Sequence, residues 1–426
     1  MRRGILRNVT VSAVLLCAVP AGAGELRVLL EGETGVRNDG NLRQLGSQAG
    51  ESADPESQDV GRAGLHLLLS YNARQRFDLA LGYSPSYERS FDDSSLAGAT
   101  HRLDLGLRST LTRRLALDVR ERLLSSPGLD LYTPAAAPES IAVTRRGRQL
   151  SHSLDIGLHN ELTRRSTLSV GLSNSVRRFE TGDLADAQSV GADLGAAFHF
   201  DRERELEVTA GVERFSWERG REAKVRTAEA TYAHLFGRSV RARFDAGSFY
   251  VEQRQPRGGA DPAEPFTASK TGWRGGLQVS QQLRLIRWDV GYRHDIDPGY
   301  GVARAVEADN AFFGLSTSRG RHLTVGVDAN GSRQRDLDAS ASEPLTELAA
   351  GTLRMSWAFT PTLRLTGGYS RVWQRSRVQL FDDLSYNRYF LGLAFRIYQT
   401  GDRPLAPEEL ERGGVPTDAT TEPDVP

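Results

Sequence analysis

Residues Gln149–Val176 read QLSHSLDIGLHNELTRRSTLSVGLSNSV. Before the centre, Leu154, Ile156 and Leu158 alternate with Ser153, Asp155, Gly157 and His159. After it, Leu168, Val170 and Leu172 alternate with Ser169, Gly171 and Ser173. A period of two on both sides of the polar Leu162-Thr163-Arg164-Arg165 predicts an antiparallel β-hairpin. Each arm has roughly 11–13 residues, about twice an ordinary soluble strand and enough for a tilted strand to cross a bilayer.

The same unit recurs along the chain. Leu103, Leu105 and Leu107 pass through a second LTRR, Leu111–Arg114, into Leu115, Leu117 and Val119. Further hairpins are expected around Asn72–Gln75, Asp201–Arg204, Gly237-Arg238, Leu283–Leu285, Ser318–Arg321 and Thr360-Pro361. About 18 strands result, an even number, as in bacterial single-chain barrels. Between the hairpins lie long polar connections: Asn38–Val60, Arg89–Ala99, Ser125–Gly147, Phe179–Gln188, Glu252–Lys270, Asp297–Arg304, Arg333–Glu343 and Ser376–Leu384. Short turns on one rim and long loops on the other are the pattern of an all-β, transmembrane, antiparallel up-and-down β-barrel, with periplasmic turns and extracellular loops. A soluble propeller or sandwich also alternates, but with shorter strands and without that sorting of loops.

Composition agrees. Among 426 residues, 54 Lys+Arg balance 54 Asp+Glu, which gives no basic excess for nucleic acid. Residues 1–23 read as a signal peptide: Arg2, Arg3 and Arg7, an apolar Val9–Val19, then Ala21-Gly22-Ala23 before the cut. The sole cysteine, Cys17, falls inside it. Residues 24–398 are the expected barrel. Residues 399–426, rich in Pro and acid, read as a disordered periplasmic tail. No later window holds the ~20 apolar residues of a transmembrane helix.

The alternation assigns faces. Leu, Val, Ile, Phe, Tyr and Trp point to lipid, with Tyr71, Tyr83, Tyr250, Trp273, Trp357, Tyr369 and Tyr398 as candidate interfacial girdles. The other face carries charge of both signs. The expected pore-lining set is Arg102, Asp104, Arg108, Asp118, Arg120, Arg241, Arg243, Asp245, Arg274, Asp289, Arg354 and Arg364. Cross-strand ion pairs among such residues brace a wall, and mixed signs argue against a one-sign selectivity ring.

Catalytic and metal motifs are not found. The eight histidines have no ligand spacing, and Ser151-His152-Ser153 with Asn160 alternates across the two faces of one strand. The chain is therefore expected to be neither an enzyme nor a cofactor protein. Phe91-Asp92-Asp93-Ser94 and Phe381-Asp382-Asp383-Leu384 pair carboxylates on two loops, which suits turns better than Ca²⁺ ligation.

The final strand, Phe390-Leu391-Gly392-Leu393-Ala394-Phe395-Arg396-Ile397, resembles the β-signal read by the barrel assembly machinery, with Phe390 where a polar residue is usual. Together with the hairpin series, it makes the chain resemble bacterial outer-membrane porins, in particular the β-barrel porin 2 group and the barrels of exopolysaccharide export. That resemblance implies a pore in the Gram-negative outer membrane passing a hydrophilic polymer, with lipid, assembly machinery and periplasmic export components as partners. The alternatives are a plugged or gated docking barrel that anchors periplasmic or surface machinery, and a general solute porin.

Overall fold

Alternating side chains commit each segment to one sheet face. A strand in lipid must also pair on both edges, because an unpaired backbone amide in hydrocarbon costs several kcal/mol. Closure meets that requirement. The computed structural model describes residues 25–40, 58–73, 76–91, 97–126, 148–180, 185–218, 221–237, 239–255, 266–299, 304–320, 322–337, 345–376 and 384–399. They form one 18-stranded antiparallel sheet in which every strand pairs with its chain neighbours and β1 (Glu25–Asp39) pairs with β18 (Leu384–Gln399). The expected signal peptide, most of the tail and both Asp-Asp pairs (Asp92-Asp93 and Asp382-Asp383) lie outside the described residues.

In chain order the remaining strands are β2 (Gln58–Ala73), β3 (Phe77–Ser90), β4 (Ala97–Thr110), β5 (Leu115–Ser126), β6 (Gln149–Thr163), β7 (Ser166–Phe179), β8 (Ala187–His199) and β9 (Arg204–Trp217). They continue with β10 (Glu222–Phe236), β11 (Val240–Gln255), β12 (Phe266–Gln282), β13 (Ile286–Asp297), β14 (Val306–Arg319), β15 (Leu323–Asp336), β16 (Thr346–Ala358) and β17 (Leu363–Ser376). Lengths run from 12 residues in β5 to 17 in β12, ample for a tilted crossing. The opening hairpin is β6–β7, paired from Gln149↔Phe179 to Thr163↔Ser166 with one register shift at Glu161/Thr163 beside the turn.

The turns are built from side-chain caps. In both LTRR copies the Thr hydroxyl accepts backbone amides beyond it: Thr112 Oγ1 from Arg114 and Leu115, and Thr163 Oγ1 from Arg165. Asp201 does the same for Glu203 and Arg204, and Thr360 for Thr362 and Leu363. Gly237 and Gly320 turn with φ of 63° and 66°, where an L side chain is strained.

The opposite rim holds the long connections with one exception. Residues 218–221 join β9 to β10 as tightly as a turn on the other rim, closed by the Trp217 amide donating to the Arg221 carbonyl. The strict alternation of loop lengths therefore fails there, because β9 and β10 stay in register up to Ser216↔Glu222. Several other expected loops are shortened from both ends. Asn38 and Asp39 still belong to β1, Arg89 and Ser90 to β3, and Arg333–Asp336 to β15.

The outer surface is an apolar belt. Leu172, Val212 and Leu391 are 52%, 57% and 60% exposed, and Leu194, Phe244, Leu277, Leu353 and Ile397 are exposed likewise. For a soluble protein this would be a severe aggregation surface; in lipid it is the buried one. Several polar and charged groups on this face are paired. His152 Nε2 meets Glu121 at 3.0 Å, and Asp309 receives Tyr292 Oη at 2.6 Å and His294 Nδ1 at 2.8 Å. The outer wall is thus less uniformly apolar than the alternation of the leucines suggests.

Candidate functional site

The inner wall is the face left by that belt. All twelve expected lining residues sit on strands, on the face away from the exposed leucines: Arg102, Asp104 and Arg108 on β4; Asp118 and Arg120 on β5; Arg241, Arg243 and Asp245 on β11; Arg274 on β12; Asp289 on β13; Arg354 on β16; Arg364 on β17. Most are brought together as pairs. Asp104 takes Arg102 Nε at 2.7 Å and Arg122 Nε at 3.0 Å from the next strand. Arg108 approaches Asp118 at 3.9 Å, and Arg120 stands opposite Asp155 in register. Asp245 accepts Arg243 Nε at 2.9 Å and Thr231 Oγ1 at 2.6 Å. Arg274 bridges Glu229 at 2.7 Å and Asp295 at 2.9 Å, and Arg354 holds Asp328 at 2.6 Å. Asp289 lies over Gly314, its Oδ1 2.7 Å from where a Cβ would stand. Arg364 faces Ala358 and Ala394 across its two ladders.

The tightest cluster is one the sequence reading missed. Asp39, fully buried, binds Arg37 Nε at 2.7 Å and Arg388 Nε at 2.7 Å across the β1–β18 closure. Arg37 also reaches Glu88 at 3.0 Å, and neighbouring Arg62 binds Glu33 at 3.0 Å. Lower on the same seam Arg396 Nε meets Glu31 at 3.1 Å. These residues lie where apolar alternation fades near the strand ends, so Asn38, Asp39 and Arg89 read as loop. A period-two charge pattern, Arg37-x-Asp39 and Arg62 with Glu88, was the available signal.

Charged pairs alternate with recessed stretches. Inward positions of β7 are Ser169, Gly171, Ser173 and Ser175, and those of β8 include Ser189, Gly191 and Gly195. One side of the long-loop mouth is filled instead. Inward Phe215 and Trp217 of β9, Val225 of β10 and Phe249 and Val251 of β11 are buried together with Ala305, and Ile296 and Leu337 pack against them. Trp217 Nε1 donates to the Pro298 carbonyl at 3.0 Å, which ties the β13–β14 connection to the cluster. The long connections Asn38–Val60 and Ser125–Gly147, candidates for plugging the barrel, fall mostly outside the described residues, and this cluster is built from β9–β11 and the ends of the 298–305 connection.

No catalytic or metal arrangement accompanies these pairs among the described residues. No group of three or more His, Cys, Asp or Glu is placed to hold a metal. His152 reaches Glu121 on the outer face, away from Ser151 and Ser153.

A closed 18-stranded barrel with an apolar outer belt, charged pairs on its inner face, and both chain ends of the sheet on the short-turn rim has the architecture of a transmembrane barrel of the outer-membrane kind. No protein-family model matches the chain, and no curated protein matches it. Similar solved structures are barrels of low sequence identity. "Copper transporter OprC" is 12% identical at a TM-score of 0.46, over 88% of this chain and 69% of that one. The outer membrane protein OpdK from Pseudomonas aeruginosa is 10% identical at 0.45, over 88% and 98%. OccK9 (OpdG) of the same organism is 14% identical at 0.44, over 88% and 99%. At these scores they carry nothing about cargo.

Proposed function

We propose that the barrel is a passive outer-membrane pore for hydrophilic solutes, lined by the twelve residues named above. The observation that carries this reading is the charged part of the inner wall: opposite charges joined across strands, with Ser and Gly between them on β7 and β8, which suits water-filled passage away from the apolar cluster of β9–β11. Paired charges leave no ring of one sign, so weak ion selectivity is the matching expectation. Exopolysaccharide passage, with periplasmic export components and delivery by the assembly machinery through Phe390–Ile397, is the narrower form of the same proposal. Its support is the charge balance of the wall, which suits neutral sugar better than an acidic polymer.

Single-channel recording of the refolded protein in a planar bilayer is the test. A steady ohmic conductance with low cation/anion preference is expected, and block by long but not short oligosaccharides would favour the polymer. A folded protein that stays silent overturns the pore. The docking or gated barrel then takes its place, and one feature already favours that second reading: the apolar cluster of Phe215, Trp217 and Phe249 filling one side of the mouth.

A further inference from the structure

The seam where β1 closes on β18 holds a cavity of about 220 Å³. Glu33, Arg62, Arg354, Arg388, Thr366 and Phe390 are among its lining residues. Gly35 and Gly392 face each other across the ladder and form part of its floor, so closely that a Cβ on Gly35 would stand 2.6 Å from the Leu391 carbonyl oxygen. Glu33, Arg62 and Arg354 keep 50%, 40% and 31% of their side chains exposed, so the cavity opens to the barrel interior.

Three features of this cavity specify a ligand. The first is its charge. The guanidiniums of Arg37, Arg62, Arg354 and Arg388 line it with the carboxylate of Glu33, and each is already paired within 3.0 Å, Arg62 with Glu33 and the others with Asp39, Glu88 or Asp328 outside the lining. A charged ligand would have to compete with these pairs, whereas a hydroxyl both donates and accepts and can bridge a guanidinium and a carboxylate without separating them. The second is a flat apolar surface. The Phe390 ring lies over Gly368, with Cε1 2.4 Å from the position of a Cβ, so any side chain there would displace the ring. The third is a hydroxyl row. Thr352 and Ser370 bond to each other at 3.1 Å, and Thr366 Oγ1 donates to the Gly392 carbonyl at 3.3 Å.

Resting on the pore reading above, we propose that this cavity is a binding subsite for one neutral sugar ring of a passing saccharide. Phe390 takes the apolar face of the ring, and Glu33, Arg62, Arg354 and Thr366 take its hydroxyls. The volume agrees. At roughly 30 Å³ per displaced water, it exchanges about seven waters, and it falls below the ~300 Å³ at which drug-sized sites begin.

The test is calorimetric titration of the folded full chain, in a detergent without a sugar headgroup, against maltotriose and against trigalacturonate. Binding is read without conduction, so a silent pore and an absent subsite remain distinguishable. Maltotriose is expected to bind in the millimolar range and trigalacturonate more weakly. Phe390→Ala is expected to weaken maltotriose by about three- to tenfold, the loss that one aromatic contact represents. Phe312→Ala, which removes another inward ring over a glycine (Gly291), is expected to leave binding unchanged. Thr366→Val supplies an independent variant should Phe390→Ala not refold, with weakening again expected. Tighter binding of trigalacturonate would make this an anion site and overturn the proposal. So would no binding of either sugar, or maltotriose affinity indifferent to both Phe390→Ala and Thr366→Val.

Discussion

Asn in place of Asp39 removes the charge on which the barrel closure converges. Asp39 is fully buried and receives Arg37 and Arg388 at 2.7 Å each, so the substitution leaves two cations facing a neutral amide. Removing one partner of a buried pair costs about 3–5 kcal/mol, because the remaining charge stays desolvated. Arg37 retains Glu88 at 3.0 Å, so the lower end, about 3 kcal/mol, is expected. At about 1.4 kcal/mol per decade, that is roughly a hundredfold fall in the folded-to-unfolded ratio. The comparison is Arg27→Ala, whose pair with Glu25 is solvent-exposed and screened, so its loss should shift unfolding far less. Urea unfolding in lipid vesicles, followed by tryptophan fluorescence, reads both variants. If Asp39→Asn unfolds no more easily than Arg27→Ala, the hub is solvated and the reasoning that makes it the clamp of the β1–β18 seam is wrong.

Three further outcomes are expected. Gly272→Ala places a Cβ 2.2 Å from Cζ of buried Phe249, so the ring must move and stability should fall by about 1–3 kcal/mol in the same urea assay, whereas Gly82→Ala, with nothing nearer than 3.9 Å, should be far milder. Trp217→Phe keeps an aromatic side chain, though a smaller one, but loses the bond to the Pro298 carbonyl, worth about 0.5–1.5 kcal/mol, and should speed proteolysis within the 298–305 connection while leaving the strands intact. In the 200–203 turn, Arg204 beside Asp201, with help from the Glu203 and Arg204 amides, holds that carboxyl below the usual carboxylate range. A lowered folded value means that its cap is fully present above the ordinary pKa of about 3.9 and is lost as pH falls through the depressed value. NMR of the Glu203 and Arg204 amides should therefore show no change from pH 7 to pH 5, then a transition below pH 4 that Asp201→Asn abolishes.

That the twelve charged residues share the sheet face opposite the leucines was legible because a strand's period is two. Once Leu103, Leu105 and Leu107 are given to lipid, Arg102, Asp104 and Arg108 have only the interior left. The partners were not legible. Asp104 is joined to Arg122 eighteen residues away, and Arg354 to Asp328 on the adjacent strand, by registers fixed through turn length and inter-strand pairing. The residues nearest the long-loop rim escaped altogether, since Asn38, Asp39 and Arg388 lack the apolar alternation that marks strand further down the wall.

The sequence by itself determined that this chain is a series of long, two-faced strands, and hence which side chains meet lipid and which meet the interior. Each of those facts is local: it follows from the alternation of side chains along a pleated backbone and from turns only a few residues long. Only the tertiary structure decided that Glu25–Asp39 meets Leu384–Gln399, so that Asp39 joins Arg388 and Phe390 lies on Gly368. It alone also decided that Phe215 and Phe249 are packed into one side of the mouth. Contacts between residues hundreds of positions apart depend on ring closure, and closure is set by the sum of all registers around the barrel, which no single stretch of sequence contains.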